Sequence, residues 1–117
     1  FCQIEFEVVK DSVDEVKLMD QIQSKGGFVV ALDERGKDLK SEALAKNIQN
    51  WTDNPQIKSL NFIIGGPYGL TKETRNKANY LWSLSSLTLQ GDLAWLIASE
   101  QIYRAFNIIK GTGYHHV

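Results

Sequence analysis

Along residues 2 to 9, CQIEFEVV, the apolar positions Cys2, Ile4, Phe6 and Val8 alternate with Gln3, Glu5 and Glu7. Period-two alternation predicts a strand with one face covered and one facing solvent, which belongs near a sheet edge. Helical spacing follows: Val13, Val16, Met19 and Ile22 form a stripe, Ser12 stands three residues before Glu15 as in a capping box, and Gly26-Gly27 ends the run. The unbroken apolar run FVVAL, 28 to 32, predicts a buried parallel strand that ends in a polar loop, DERGK. Ser41 precedes a helix with Leu44, Ile48 and Trp51 on one face, closed by Asn54-Pro55, and LNFII, 60 to 64, reads as the next buried strand. Thr71 predicts a helix cap, with the helix running to about Tyr80, and a short strand follows within WSLSSLTL, 82 to 89. Asp92 predicts the cap of a long last helix, whose stripe includes Leu96, Tyr103 and Phe106 before Gly111 ends it; a loose tail, TGYHHV, completes the chain. Strands and helices alternate throughout, so the expected architecture is α/β, a mostly parallel sheet with helices on both faces, in a single domain spanning 1–117.

Composition narrows the function classes. With an apolar fraction of 43% and a charged fraction of 23% the chain has the make-up of a water-facing globular domain, and no segment approaches the eighteen or so apolar residues of a membrane span. A formal net charge of −1 argues against a protein that holds nucleic acid by bulk electrostatics, so an RNA partner would have to be met locally. The single cysteine, Cys2, has no partner for an internal disulfide and reads as a buried hydrophobe rather than a nucleophile; a reducing, cytoplasmic setting is the default.

The candidate chemistry lies in FIIGGPYGL, 62 to 70, where an apolar run breaks into Gly65, Gly66, Pro67 and Gly69. In open α/β sheets ligands bind beyond the carboxyl ends of the strands, and glycines let backbone amides and carbonyls approach a flat ligand closely. A tight strand-to-helix turn with no ligand is the competing reading. The phosphate-loop motif needs Gly-Lys-Ser/Thr five residues after its first glycine; those positions here are Leu70 and Thr71, so neither register fits. The dinucleotide fingerprint fails as well. A ligand read here is therefore better matched by adenine and ribose than by a pyrophosphate. SLSSLTL, 83 to 89, adds Ser85, Ser86 and Thr88 as hydrogen-bonding groups around a ring, or as the hydroxyls of a plain buried strand. Lys72, Arg75 and Lys77 suit either phosphate contacts or a solvated helix face.

Taken in order and spacing, VALDERGK, IIGGPYGL, WSLSSLTL, EQIYRAFNIIKG and the terminal GYHH closely resemble the RlmH (YbeA) family of SPOUT-class ribosomal RNA methyltransferases, over roughly residues 28 to 117. The resemblance implies an α/β knot with a C-terminal trefoil knot, a homodimer, S-adenosylmethionine bound within the knot, and methylation of a pseudouridine ring nitrogen in large-subunit ribosomal RNA on the ribosome. It implies that the donor is held by Leu32, by Gly65 and Gly66, and by Ser85, Ser86, Leu87, Thr88, Leu89 and Gln90. Tyr114 and His115 become candidates for positioning or deprotonating the base, and Arg104 and His116 for contacting RNA, Arg104 alternatively pairing with Glu100 on the same helix. No metal is implied.

Several positions depart from the family pattern. Gln90-Gly91 stands where members carry Pro-His or Thr-His, Trp95 where some place an arginine, and His116 where a basic residue follows the tail's Tyr-His. These exchanges remove cations near the site and bear on catalytic rate and RNA engagement more than on donor binding, which leaves a donor-binding or ribosome-associated homologue without catalysis as the alternative. A flavodoxin-like receiver using Asp33 as phosphoacceptor would need an acidic pair on the first strand, and none is evident. The family also begins with a further strand and helix ahead of the segment matching CQIEFEVV; without them a sheet edge would lack its partner.

Overall fold

The computed structural model describes residues 3–8, 15–65, 69–85, 87 and 89–111. In chain order it runs β1 (Gln3–Val8), α1 (Glu15–Ser24), β2 (Gly27–Asp38), α2 (Ser41–Asp53), β3 (Ser59–Ile64), α3 (Lys72–Lys77), β4 (Tyr80–Ser83) and α4 (Gly91–Lys110). All four strands are parallel, in the order β1-β3-β2-β4, which puts the alternating β1 at an edge and the apolar β2 and β3 in the centre. Both edge and centre assignments follow the patterning, since only a strand covered on both faces tolerates an unbroken apolar run.

Alternation along the central strands sorts the side chains into two layers. Val30, Leu32, Leu60, Phe62, Ile64 and Trp82 face α2 and α4, meeting Leu44, Ala45 and Ile48 from the first and Ala94, Ala98, Ile102 and Ala105 from the second. Val29, Ala31 and Ile63 point the other way, onto Met19 of α1 and Leu70. Each large side chain so buried contributes on the order of 1.5–3 kcal/mol, which makes the α2–α4 layer the larger stabiliser. Helices thus cover both faces, as expected. Among the described residues no helix is long and apolar enough to cross a membrane.

Four details differ from the sequence expectations. DERGK is not a loop after β2: the strand continues to Asp38, and its pairing with β4 jumps register, Trp82 pairing with both Leu32 and Lys37, so that residues 33–36 bulge out between. The expected strand in WSLSSLTL is confined to its first two residues, because β4 spans Tyr80–Ser83 and the following hydroxyls serve a bend. Thr71 does cap α3, accepting from Thr74 N at 3.2 Å, yet that helix stops at Lys77 rather than near Tyr80. Finally, α4 starts from Gln90, with Asp92 inside its first turn instead of capping it. Its buried stripe is Ala94, Ala98, Ile102 and Ala105, four small or slender side chains that allow close approach to the sheet, whereas Leu96 and Tyr103 are 60% and 58% exposed. Ser12 and Val13 of the expected first helix, and Cys2, lie outside the described residues.

Candidate functional site

Because the strands are parallel, their carboxyl ends share one edge of the sheet, and there the exits of β2, β3 and β4 meet the start of α4 around a cavity of about 300 Å³. This is the place where open parallel sheets bind ligands. Of the sequence-predicted residues, Leu32, Gly65, Ser85, Leu87 and Leu89 line the cavity. Gln90 is the residue from which α4 starts, and Gly91 and Ala94 behind it complete that wall. Gly66, Ser86, Thr88, Tyr114, His115 and His116 lie outside the described residues.

Gly65 has a reason that the sequence did not disclose. A Cβ built there would stand 2.6 Å from Gly69 C, 2.8 Å from Leu70 N and 3.0 Å from Gly69 Cα, so the loop folds back onto its own main chain and leaves no space for a side chain. Gly69, at φ +75°, takes the left-handed turn that this return requires. The cavity floor is consequently main chain, while Cβ positions at Gly69 and Gly91 would project into open space, that of Gly91 meeting only Gly65 O at 4.0 Å.

The opposite wall is shaped by hydroxyls. Ser83 Oγ donates to Ser85 O at 2.9 Å, and Leu87 N donates to Ser85 Oγ at 3.0 Å. These bonds turn the chain after β4, and Leu84, Ser85, Leu87 and Leu89 reach the cavity that Gly65 and Gly69 also line. The Ser85 hydroxyl that accepts this bond still carries a proton able to donate.

Charged groups also reach the cavity. The bulge in β2 brings Asp33, Glu34 and Arg35 to it, with the Asp33 side chain only 6% exposed. Asp33 Oδ1 accepts from Arg35 N at 2.9 Å and from Arg35 Nη1 at 3.1 Å, a local turn that keeps the carboxylate and guanidinium together. Arg75 also lines the cavity, its Nη1 donating to Leu70 O at 2.7 Å, rather than sitting on a fully solvated face. DERGK, directly after a buried strand, points to the first group, and Arg75 stands among the cations that suit phosphate contacts or a solvated helix face. Arg104 is held by Glu100, Nε to Oε1 at 2.9 Å, which matches the pairing alternative. Lys77 pairs with Asp20 of α1. The cavity therefore combines a main-chain floor, aliphatic walls and both signs of charge, an arrangement for a small ligand with flat, apolar and zwitterionic parts.

A family model described as "Predicted SPOUT methyltransferase" matches residues 3–115. The ribosomal RNA large subunit methyltransferase H of Maridesulfovibrio salexigens is 38% identical over 127 residues, covering 100% of this chain and 81% of that protein. The protein of the same name from Christiangramia forsetii is 37% identical, covering 99% of this chain and 81% of its own length. That from Polynucleobacter asymbioticus is 38% identical, with 97% and 78% covered.

Proposed function

Since the chain belongs to the SPOUT methyltransferases, and among them to the RlmH type, we propose that it carries a methyl group from S-adenosylmethionine to N3 of a pseudouridine in large-subunit ribosomal RNA. The observation that supports this reading best is the cavity at the exits of β2, β3 and β4, whose floor is the main chain of Gly65 and Gly69.

The residues present fit such a donor. Leu32, Gly65 and Gly66 on one side and Ser85 through Gln90 on the other would hold the adenosyl part, read chiefly by main-chain groups and the Ser85 hydroxyl. Leu32, Ile64, Leu87, Leu89 and Ala94 supply apolar contact, and the Asp33–Arg35 pair with Arg75 offers partners for an ammonium and a carboxylate. When bound, S-adenosylmethionine supplies a methyl group already activated on a sulfonium. What remains for the protein is alignment of the accepting nitrogen with that methyl, the main contribution available in a displacement. Tyr114 and His115 position the base and take the proton from N3, and Arg104 and His116 contact the RNA.

The same reading includes a homodimer and the family's trefoil knot, in which the bend after β4 and the glycine loop are threaded together. Trp95, Leu96 and Tyr103, 42%, 60% and 58% exposed, share one outer face of α4. Such a face marks an interaction surface, and a second copy of the chain covers it while bringing its tail to the site.

The test is transfer of labelled methyl from S-adenosylmethionine to ribosomes lacking the modification. Incorporation into large-subunit RNA is expected; no incorporation together with no donor binding overturns the reading. A second reading, donor binding without turnover, is favoured by Gly91, which faces the cavity where the family carries a histidine. Calorimetric binding without incorporation would select it.

A further inference from the structure

The peptide unit joining Leu70 to Thr71 is gripped on both edges by side chains of opposite charge. Arg75 Nη1 donates to Leu70 O at 2.7 Å, and Thr71 N donates to Glu15 Oε1 at 3.1 Å. The same carboxylate oxygen accepts from Thr74 Oγ1 at 2.7 Å and from Thr71 Oγ1 at 3.4 Å. Thr74 is fully buried, with its hydroxyl also 2.9 Å from Thr71 Oγ1, and of its two partners the carboxylate makes the stronger kind of bond. Glu15 opens α1 and is far from α3 in sequence; its carboxylate, three residues after Ser12, is spent on the cap of another helix.

The gripped peptide adjoins, through Leu70 Cα, the Gly69–Leu70 peptide that forms the cavity floor. Leu70 N and Gly69 C are the atoms that would lie 2.8 and 2.6 Å from a Cβ on Gly65. Gly65, Gly69, Leu70 and Arg75 line the cavity, whereas Glu15 does not. A shift of the Leu70–Thr71 peptide therefore moves the floor, and Glu15 controls that peptide without reaching the ligand.

We infer that Glu15, acting with Arg75, is a positioning residue for the donor: it fixes the return of the glycine loop before the donor arrives, so that binding does not have to order it. This rests on the donor cavity of the proposed function. Preorganisation of this kind raises affinity by removing an ordering cost, not by adding a contact.

The experiment uses the full chain as wild type, Glu15→Ala, Glu15→Gln and Arg75→Met, with amide hydrogen exchange on the free protein and calorimetric titration with S-adenosylmethionine. Glu15→Ala is expected to speed exchange at the Thr71 amide and to raise the donor Kd about tenfold, the factor that about 1.4 kcal/mol produces. The donor KM rises with it while kcat changes little. Glu15→Gln, whose amide oxygen can accept the same bonds, restores most of the affinity. Arg75→Met, read by hydrogen exchange alone because Arg75 itself lines the cavity, should speed exchange at the Thr71 amide and keeps the test open should Glu15→Ala fold poorly; unchanged exchange there overturns the grip. Faster Thr71 exchange with an unchanged Kd, or a glutamine variant no better than alanine, overturns the inference. A wild-type chain that binds no donor overturns the donor reading itself and this inference with it; binding that Glu15→Ala leaves intact overturns the inference alone.

Discussion

Replacing Gly65 with alanine asks whether the loop after β3 returns onto its own backbone. The added Cβ would lie 2.6 Å from Gly69 C and 2.8 Å from Leu70 N, against the roughly 3.5–4.0 Å at which carbon atoms rest. The obstruction is main chain, not the end of a flexible side chain, and the peptide that follows it, Leu70 to Thr71, is held by Glu15 and Arg75. Relief requires the loop to move by about an ångström, and overpacking of this sort costs about 1–3 kcal/mol. For a domain of this size each kcal/mol corresponds to roughly 4 °C, so the melting midpoint should fall by about 4–12 °C. Thermal melts followed by circular dichroism, with and without S-adenosylmethionine, provide the assay. At a hundredfold excess over Kd the donor stabilises the wild type by about 2.7 kcal/mol, and this gain should shrink in the variant because the floor has moved. Gly91→Ala is the control: its Cβ meets only Gly65 O at 4.0 Å, and an alanine in the first helical turn should leave stability unchanged or raise it by about 0.4–1 kcal/mol. A Gly65→Ala protein that melts and responds to donor like the wild type would refute the described return of the loop.

Three further outcomes are expected. Gly36→Ala, whose Cβ would stand 2.5 Å from Leu81 C and 2.7 Å from Trp82 N, should lower the midpoint of urea unfolding by about 1–3 kcal/mol equivalent, since the bulge of β2 crosses the backbone of β4; an unaltered midpoint would count against that crossing. The double variant Gly91→His, Trp95→Arg should raise methyl incorporation into ribosomes, because it restores the family's residues at both positions and Gly91 has space for a side chain at the cavity. Leu96→Asp should turn a dimeric mass in light scattering into a monomeric one at micromolar concentration while the melting midpoint of the subunit persists; an unchanged mass would remove α4 from the interface.

Long-period patterning made the skeleton legible. The alternation of CQIEFEVV, the apolar runs FVVAL and LNFII, and the Thr71 cap each carried their own physical cause, and β1, β2, β3 and the start of α3 follow them. What escaped depends on contacts between distant segments. The continuation of β2 through DERGK depends on β4 accepting it after a register jump, and local propensity favours a loop there. In α4 the large apolar residues Leu96 and Tyr103 suggested the buried stripe, yet Ala94, Ala98, Ile102 and Ala105 take that place. Glu15 reads as part of a capping box whose Ser12 lies outside the described residues; its carboxylate also holds Thr71 and Thr74, which no spacing rule links to it. For the site, the glycines and hydroxyls marked the right loops, and Leu32, Gly65, Ser85, Leu87 and Leu89 do share one cavity. The reason for Gly65 became visible only when Gly69 and Leu70 were brought against it.

The strand order has a kinetic consequence. Gly27 pairs with Ser59, Gln3 with Ser59 and Val30 with Tyr80, so among the described residues the strand pairings of β1 to β4 all join segments separated by at least one whole helix, with no hairpin between these strands to nucleate the sheet early. Each association must meet a loop-closure entropy before any pairing rewards it, which places this chain among slow-refolding topologies. The pocket needs the ends of three strands at once. Donor capture during refolding should therefore lag behind the recovery of helical signal and report the last ladder to close.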